Sequence, residues 1–250
     1  QSHVRVSFDE PIYTGDATGL GAARMLDAFK SSAPHAKLYQ ASSSEMFGNS
    51  PSPQSMESAM VPRSPYGAAK LYAHNMIQNY RESYNLFAVS GVLFNHESPR
   101  RGPTFVTRKI TRAVAAISKG LEDSLFLGNL DAIRDWGYAA DYVVAMWKML
   151  QQDEPKDFVI GTGKSLTVKE FLSHSFKSVD LNWEDYVRFD RRYLRPTEVD
   201  DLQANPKFAE DELSWSHSVS PLELAAEMVR RDIENLESFT PDKPIGSLWE

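Results

Sequence analysis

From Ser64-Pro65 to about Tyr84 the sequence reads as one long helix, and it runs almost at once into Leu86–Phe94 (LFAVSGVLF), a nearly continuous apolar segment. Proline is at home in the first turn of a helix, where its missing N–H costs nothing, so Pro65 marks the start. An apolar run without alternation is buried on both faces, as strands of a parallel sheet are. Similar pairs recur along the chain. Residues 17–31 carry apolar side chains near helical spacing, and Ala36–Ser42 reads as a short buried strand. Asn49–Val61, polar and holding Pro51 and Pro53, is a loop. Further on, the pattern predicts a helix over Phe105–Lys119, a short strand at Leu125–Leu127, a helix over Ala139–Gln152 and a strand at Asp157–Ile160. Helices near 167–177, 206–213 and 220–238 close the series. Strands alternating with helices predict a doubly wound α/β domain, and the shorter strands of the later part suggest a smaller lobe.

Composition narrows the function classes. The net charge is −7, a poor balance for general nucleic-acid binding. There is no cysteine, which removes disulfides, thiol catalysis and cysteine-ligated zinc. The six histidines show no His-x-x-x-His pair, so no metal site is expected. No apolar run reaches the length of a membrane span, and no secretory signal is visible in the polar opening QSHVRVSFDE. The expectation is a soluble cytoplasmic enzyme that binds neither nucleic acid nor membrane.

Two segments imitate phosphate loops. Gly19-Leu-Gly21-Ala-Ala-Arg24 ends in arginine and falls inside a helical pattern, so helix packing is the better account. Asp157–Ser165 (DFVIGTGKS) looks like a strand entering a P-loop, but Phe158 stands where the motif needs glycine. Gly161 and Gly163 there predict a turn ahead of a helix capped near Thr167.

Tyr66-Gly-Ala-Ala-Lys70 has more chemical content. A spacing of four puts both side chains on one helix face. A lysine cation beside a phenol favours the phenolate, which can exchange a proton with a sugar hydroxyl. Alone, the pattern fits any amphipathic helix. Upstream, however, Ser42-Ser43-Ser44-Glu45-Met-Phe-Gly48 sits at the end of a predicted strand, where α/β sheets place ligands. By themselves the serines would be a turn or cap and Glu45 a solvated charge.

Together these motifs resemble the extended short-chain dehydrogenases that modify nucleotide sugars. Leu93-Phe-Asn-His-Glu-Ser-Pro-Arg-Arg-Gly102, Phe105-Val-Thr-Arg-Lys-Ile110, Gly128-Asn-Leu-Asp131, Arg134-Asp-Trp-Gly137 and Arg195-Pro-Thr-Glu198-Val199 are similar to segments of GDP-mannose 4,6-dehydratases, in the same order, from Gln1 to about Glu234. The resemblance implies a Rossmann-like parallel sheet with a smaller C-terminal α/β substrate lobe. It places the remainder of the NADP-binding domain at 1–95, a mixed region, mainly GDP-sugar-binding with elements returning to the sheet, at 96–236, and a tail at 237–250.

It also implies roles. Tyr66 would deprotonate the sugar 4-hydroxyl, with Lys70 tuning it and holding the nicotinamide ribose. Glu45 would take the C5 proton and assist loss of the 6-hydroxyl. Ser43 would hydrogen-bond the 4-oxygen; the family commonly has threonine there, and serine keeps the hydroxyl while losing the methyl that restricts its rotamer. Ser2, Tyr13, Lys70, His96 and Arg101 fall at cofactor-contacting positions. Asn95, Val106, Lys109, Arg134, Arg195 and Glu198 fall at GDP-sugar positions, the basic ones suiting a diphosphate. In isolation each of these charges would read as a surface salt bridge. The implied partners are NADP, GDP-mannose and further copies of the chain, as a dimer or tetramer, with Arg100–Lys109 near the contact between copies. The family opens with a glycine loop at a helix N-terminus that cradles pyrophosphate. No G-x-G-x-x-G follows a strand in this sequence, so the expectation is an N-terminally truncated sheet with on the order of 80–90 family residues, about three βα units, ahead of Gln1. Rival readings are an epimerase or reductase on the same scaffold, which needs no acid/base at Glu45, and an inactive fragment that only binds.

Overall fold

The computed structural model describes residues 1–236, so the tail expected at 237–250 lies outside the described residues. In chain order the elements are α1 (Val4–Asp9), α2 (Pro11–Thr14), α3 (Gly21–Ser32), β1 (Leu38–Ser43), α4 (Pro65–Tyr84), β2 (Ala88–Leu93), β3 (Asn95–Glu97), α5 (Val106–Ser118), β4 (Leu125–Leu127), β5 (Ile133–Tyr138) and α6 (Ala139–Gln151). After these come β6 (Phe158–Ile160), β7 (Ser165–Thr167), α7 (Val168–Lys177), α8 (Trp183–Tyr186), β8 (Val187–Phe189), β9 (Asp201–Leu202), α9 (Lys207–Leu213) and α10 (Pro221–Glu234). Among the described residues they form two compact units, one of residues 1–96, 133–165 and 195–218, the other of 97–132, 166–194 and 219–236.

The first unit is built on a parallel sheet of order β1-β2-β6. β1 and β2 run in register from Leu38 opposite Ala88 to Ser43 opposite Leu93. Successive residues of β2 point to opposite faces. Ala88 packs with Ile77 of α4 and Leu26 of α3, whereas Val89 and Leu93 pack with Tyr142, Ala145 and Met149 of α6. Helices therefore cover both faces, the doubly wound arrangement. In the same unit β5 pairs in parallel with β9.

α4 forms where the sequence says it should. The Ser64 hydroxyl accepts from Gly67 N at 3.0 Å, Pro65 opens the first turn, and Asn85 ends the helix in the left-handed conformation. Its buried face carries the small residues Gly67, Ala69 and Ala73, with the larger Ile77 in the core beside Leu26 and Ala88. Near its C-terminus Arg81 makes a two-pronged ion pair with Asp157, each bond 2.9 Å, and Asp157 also accepts from Ser90 N at 2.6 Å. The pair thus ties α4, β2 and the start of β6. Asp157→Ala strands a largely buried guanidinium and a strand N–H, and an expected loss of about 3 kcal/mol in urea unfolding follows; an unchanged midpoint would show the pair to be idle.

Several expectations change. β1 is less buried than a core strand: Leu38–Gln40 are half-buried, Ala41 is exposed, and only Ser42 and Ser43 are enclosed. It is an outer strand of its sheet, with β2 on one side. The helix expected over 17–31 begins earlier, since α1, α2 and a π-helical turn over Gly15–Leu20 lead into α3. Gly19 packs against Tyr72 and Ala69 there, so this glycine serves helix packing. Gly163 takes φ +70 in the turn ahead of α7, whose N-terminus is a reciprocal capping box between Thr167 and Glu170.

In the second unit α5 packs on α7 and α10. Buried Asp232 of α10 accepts from Arg108 and, at 2.7 Å, from Thr111 of α5. β4 and β8 pair in parallel, Leu125 opposite Val187. No described helix is long and apolar enough to cross a membrane.

Candidate active site

β1 ends in a 3-10 turn, Ser44–Met46, that lifts Glu45 off the strand. The Ser43 hydroxyl accepts from Glu45 N at 3.3 Å and fixes this turn. The first turn of α4 lies directly against it. A Cβ on Gly67 would stand 2.7 Å from the Glu45 carbonyl oxygen, so only glycine allows the approach. Tyr66 is buried beside that contact, at 8% exposure, and Glu45 is buried at 7%. One turn on, Lys70 Nζ stands 5.7 Å from the Tyr66 ring centroid and donates to the Ala41 carbonyl at 2.8 Å. Burial holds the Lys70 pKa below its ordinary value. A hydroxyl, a carboxylate, a phenol and an amine are thus carried by one strand end and the first two turns of the helix that follows it.

The Glu45 carboxylate is the first link of a chain of charges. Arg195 donates to it at 3.2 Å and stands 3.7 Å from Glu198, and Arg134 donates to the same Glu198 oxygen at 3.5 Å. Arg134 lies on β5, is 5% exposed, and also donates to the Ile133 carbonyl at 2.8 Å. Its burial pulls the guanidinium pKa down, while the carboxylates of Glu45, Glu198 and Asp200 oppose that. Four residues singled out from sequence are joined here, two cations against two anions, across 150 residues of chain between Glu45 and Arg195.

Asp135, next along β5, is a further residue of this site that sequence reasoning misses. Fully buried, it accepts from Thr162 N (2.9 Å), Thr162 Oγ1 (2.7 Å), Gly163 N (2.8 Å) and Ala204 N (3.2 Å). Burial pushes its pKa up, and these donors pull the other way. It locks the turn after β6 and the backbone at Ala204 onto the strand that carries Arg134. The signal in the sequence is a carboxylate inside Arg134-Asp-Trp-Gly137, where a strand interior otherwise admits none.

The remaining residues are placed as follows. Ser2 precedes α1 and Tyr13 lies on α2, both exposed. Asn95 and His96 are on β3; the Asn95 carbonyl accepts from Tyr142 at 3.5 Å, and the His96 ring lies 4.9 Å from that of Tyr142. In the second unit, Arg101 forms an ion pair with buried Glu97 at 3.1 Å and covers the Phe105 ring at 3.6 Å. Glu97 also accepts from Thr107 at 2.7 Å, and its burial raises its pKa. Val106 is exposed at the start of α5. Lys109 donates to the Phe126 carbonyl at 2.7 Å and stands 3.2 Å from the Tyr193 ring centroid. Burial lowers its pKa to about 8 against the pull of Asp190.

Residues 1–228 match the family model described as GDP-mannose 4,6 dehydratase. GDP-mannose 4,6 dehydratase 2 of Arabidopsis thaliana is 55% identical over 238 residues, covering 94% of this chain and 64% of that protein. The Homo sapiens GDP-mannose 4,6 dehydratase is 50% identical over 254 residues, covering 94% and 68%. The chain therefore spans about two thirds of the length of these relatives. Among solved structures, RMD from Pseudomonas aeruginosa complexed with NADPH superposes with a TM-score of 0.86 at 20% identity, over 94% of this chain and 79% of that one. DesIV, the dTDP-glucose 4,6-dehydratase of Streptomyces venezuelae with NAD and TYD bound, gives 0.83 at 22% identity, over 97% and 74%. These likenesses share the Rossmann-like fold, and by sequence the chain belongs to the GDP-mannose 4,6 dehydratase family.

Proposed function

We propose that the protein carrying this chain is a GDP-mannose 4,6-dehydratase, which converts GDP-mannose to GDP-4-keto-6-deoxymannose with loss of water. The observation that carries the reading is Glu45: a buried carboxylate, ion-paired with Arg195, beside the Tyr66/Lys70 helix face. A nucleotide-sugar epimerase has no use for a second acid/base there.

In this reading Tyr66 takes the proton of the sugar 4-hydroxyl, and Ser43 donates to the 4-oxygen. Lys70 keeps the phenol inclined to give up its proton. Once C4 is a ketone, the neighbouring C5–H is acidic, and Glu45 removes that proton. The same carboxyl then protonates the departing 6-hydroxyl, so that water leaves without a free proton crossing the buried site. Arg134, Arg195 and Glu198 are proposed contacts of the GDP-sugar, whose diphosphate suits planar, two-pronged guanidinium donors. Asn95, Val106 and Lys109 are proposed to contact the same substrate.

The donor set also fits a nicotinamide dinucleotide. An ammonium has three donors, and Lys70 places one of them on Ala41, which leaves others for a ribose diol. Ser2, Tyr13, His96 and Arg101 are the other proposed contacts, and NADP is the proposed form. Such a cofactor would supply the acceptor for the C4 hydride and its return to C6, with none consumed, while a proton from solvent is added at C5. We assign 1–95 to cofactor binding and 96–236 mainly to the sugar nucleotide, in a cytoplasmic homo-oligomer.

Incubation with GDP-mannose and NADP tests the reading by mass. A product lighter by one water supports it, and an unchanged substrate mass under saturating conditions contradicts it. One further outcome concerns pH. Lys109 carries its charge below about 8 and loses it above. Affinity for the diphosphate should therefore weaken as pH rises through that value. Lys109→Arg, with a guanidinium charged throughout, should flatten this step in the KM profile; a step that persists unchanged in the variant would remove Lys109 from phosphate binding.

A further inference from the structure

α4 presents Tyr66, Lys70, His74 and Gln78 at intervals of four, one ridge of the helix facing β1, with Arg81 a turn beyond. The dehydratase chemistry uses the first two. His74 is 1% exposed, and its Nδ1 lies 3.1 Å from the hydroxyl of Ser42, itself buried. Its Nε2 lies 3.3 Å from the Gln78 side-chain amide nitrogen, which also donates to Asp157 at 3.3 Å.

These contacts fix the direction of every proton. A carboxylate takes only donors, so the Gln78 NH2 must face Asp157. The same NH2 faces His74 Nε2, which is therefore the acceptor. The imidazole proton is left on Nδ1 and is donated to Ser42. Burial, with the charge of Arg81, holds the imidazole neutral against the pull of Asp157.

Ser42 is one residue before Ser43 and three before Glu45. Three contacts from α4 thus grip the strand end in succession: Gly67 beneath the Glu45 carbonyl, Lys70 on the Ala41 carbonyl, and His74 on the Ser42 hydroxyl. The first two belong to groups already placed in the site. The third is a side-chain bond with its own buried support, anchored at Asp157, which Arg81 holds from two sides.

We propose that His74 is a positioning residue for the dehydratase reaction: through Ser42 it sets the height of the β1 end against α4, and with it the placement of Ser43 and Glu45 relative to Tyr66. The proposal rests on the dehydratase reading above. His74 touches no reacting atom and acts only through the strand.

The test is steady-state kinetics and thermal melting of the full protein and its variants His74→Phe, His74→Asn and Ser42→Ala. Phenylalanine keeps the volume and loses both hydrogen bonds. Asparagine keeps an N–H near the position of Nδ1, and so the bond to Ser42, while losing Gln78. Ser42→Ala removes one hydroxyl and leaves folding least disturbed. Well below the melting temperature, His74→Phe and Ser42→Ala should each lower kcat about tenfold with KM for GDP-mannose unchanged within about twofold, as a sub-ångström misplacement does. The double variant should fall no further than His74→Phe alone, since both remove one link. His74→Asn should recover most of kcat even though its melting temperature stays low, which a purely structural role would not produce. Full kcat in folded Ser42→Ala overturns the proposal, and so does an equal loss in His74→Asn and His74→Phe. Absence of dehydration by the wild type would overturn the functional reading and this proposal with it, whereas wild-type turnover with an undiminished Ser42→Ala overturns positioning alone.

Discussion

Glu45→Gln should bind GDP-mannose normally and make almost no dehydrated product. Glutamine has nearly the same shape, and Arg195 keeps Glu198 as a partner at 3.7 Å, so the surrounding charges hold their places. The amide cannot take a proton from C5 nor hand one to the leaving hydroxyl. General acid/base groups contribute 10²–10⁴-fold, and Glu45 is assigned both halves of the elimination, so a fall in kcat of about 10³-fold is expected. KM should change little. Rapid quenching should find 4-keto sugar that retains its 6-hydroxyl, because the step at C4 is intact. Wild-type turnover by this variant would take away the acid/base role of Glu45 and leave an epimerase-like arrangement.

Tyr66→Phe should fail one step earlier, with a loss of similar or greater size, about 10³-fold or more. The ring remains in its buried place, so folding should be close to normal. No group remains to accept the proton of the 4-hydroxyl, and no 4-keto sugar should appear after quenching. The two variants are thereby distinguished by what accumulates: a ketone with its hydroxyl in Glu45→Gln, unreacted substrate in Tyr66→Phe. Ketone formation at the normal rate by Tyr66→Phe would move the base elsewhere, with the Ser43 hydroxyl the next group to examine.

The sequence was most informative where local chemistry decides structure. Ser64 and Pro65 start α4, and Asn85 ends it, through caps that depend on a few adjacent residues. β2 announced itself because all its residues are buried. β5 did not, because its Arg134 and Asp135 look like surface charges until their partners are known. Those partners, Glu198 for one and Thr162, Gly163 and Ala204 for the other, come from distant segments. β9, with two residues, is too short for any period to show. In the N-terminal helical segment Pro11 and the glycines at 15, 19 and 21 mask a helical path that tertiary packing maintains. Of the site, the Tyr66/Lys70 spacing and the Ser43–Glu45 strand end were readable directly. The pairing of Glu45 with Arg195 was not, since nothing in spacing links residues so far apart. His74 stood in plain view, four residues after Lys70, and only its burial against Ser42 gave it meaning.

In the proposed reaction, water is eliminated across C5 and C6 of GDP-mannose through a carboxylate base at Glu45. The most direct measurement is the reaction of GDP-mannose with the wild-type protein and NADP in deuterated water, read by NMR at C5 and C6 of the sugar. The expected product is GDP-4-keto-6-deoxymannose with a methyl group at C6 and solvent deuterium at C5, because the proton removed from C5 departs in the eliminated water and a new one comes from solvent when hydride returns to C6. A product that keeps its 6-hydroxyl, with C5 hydrogen retained and only C4 altered, would contradict it.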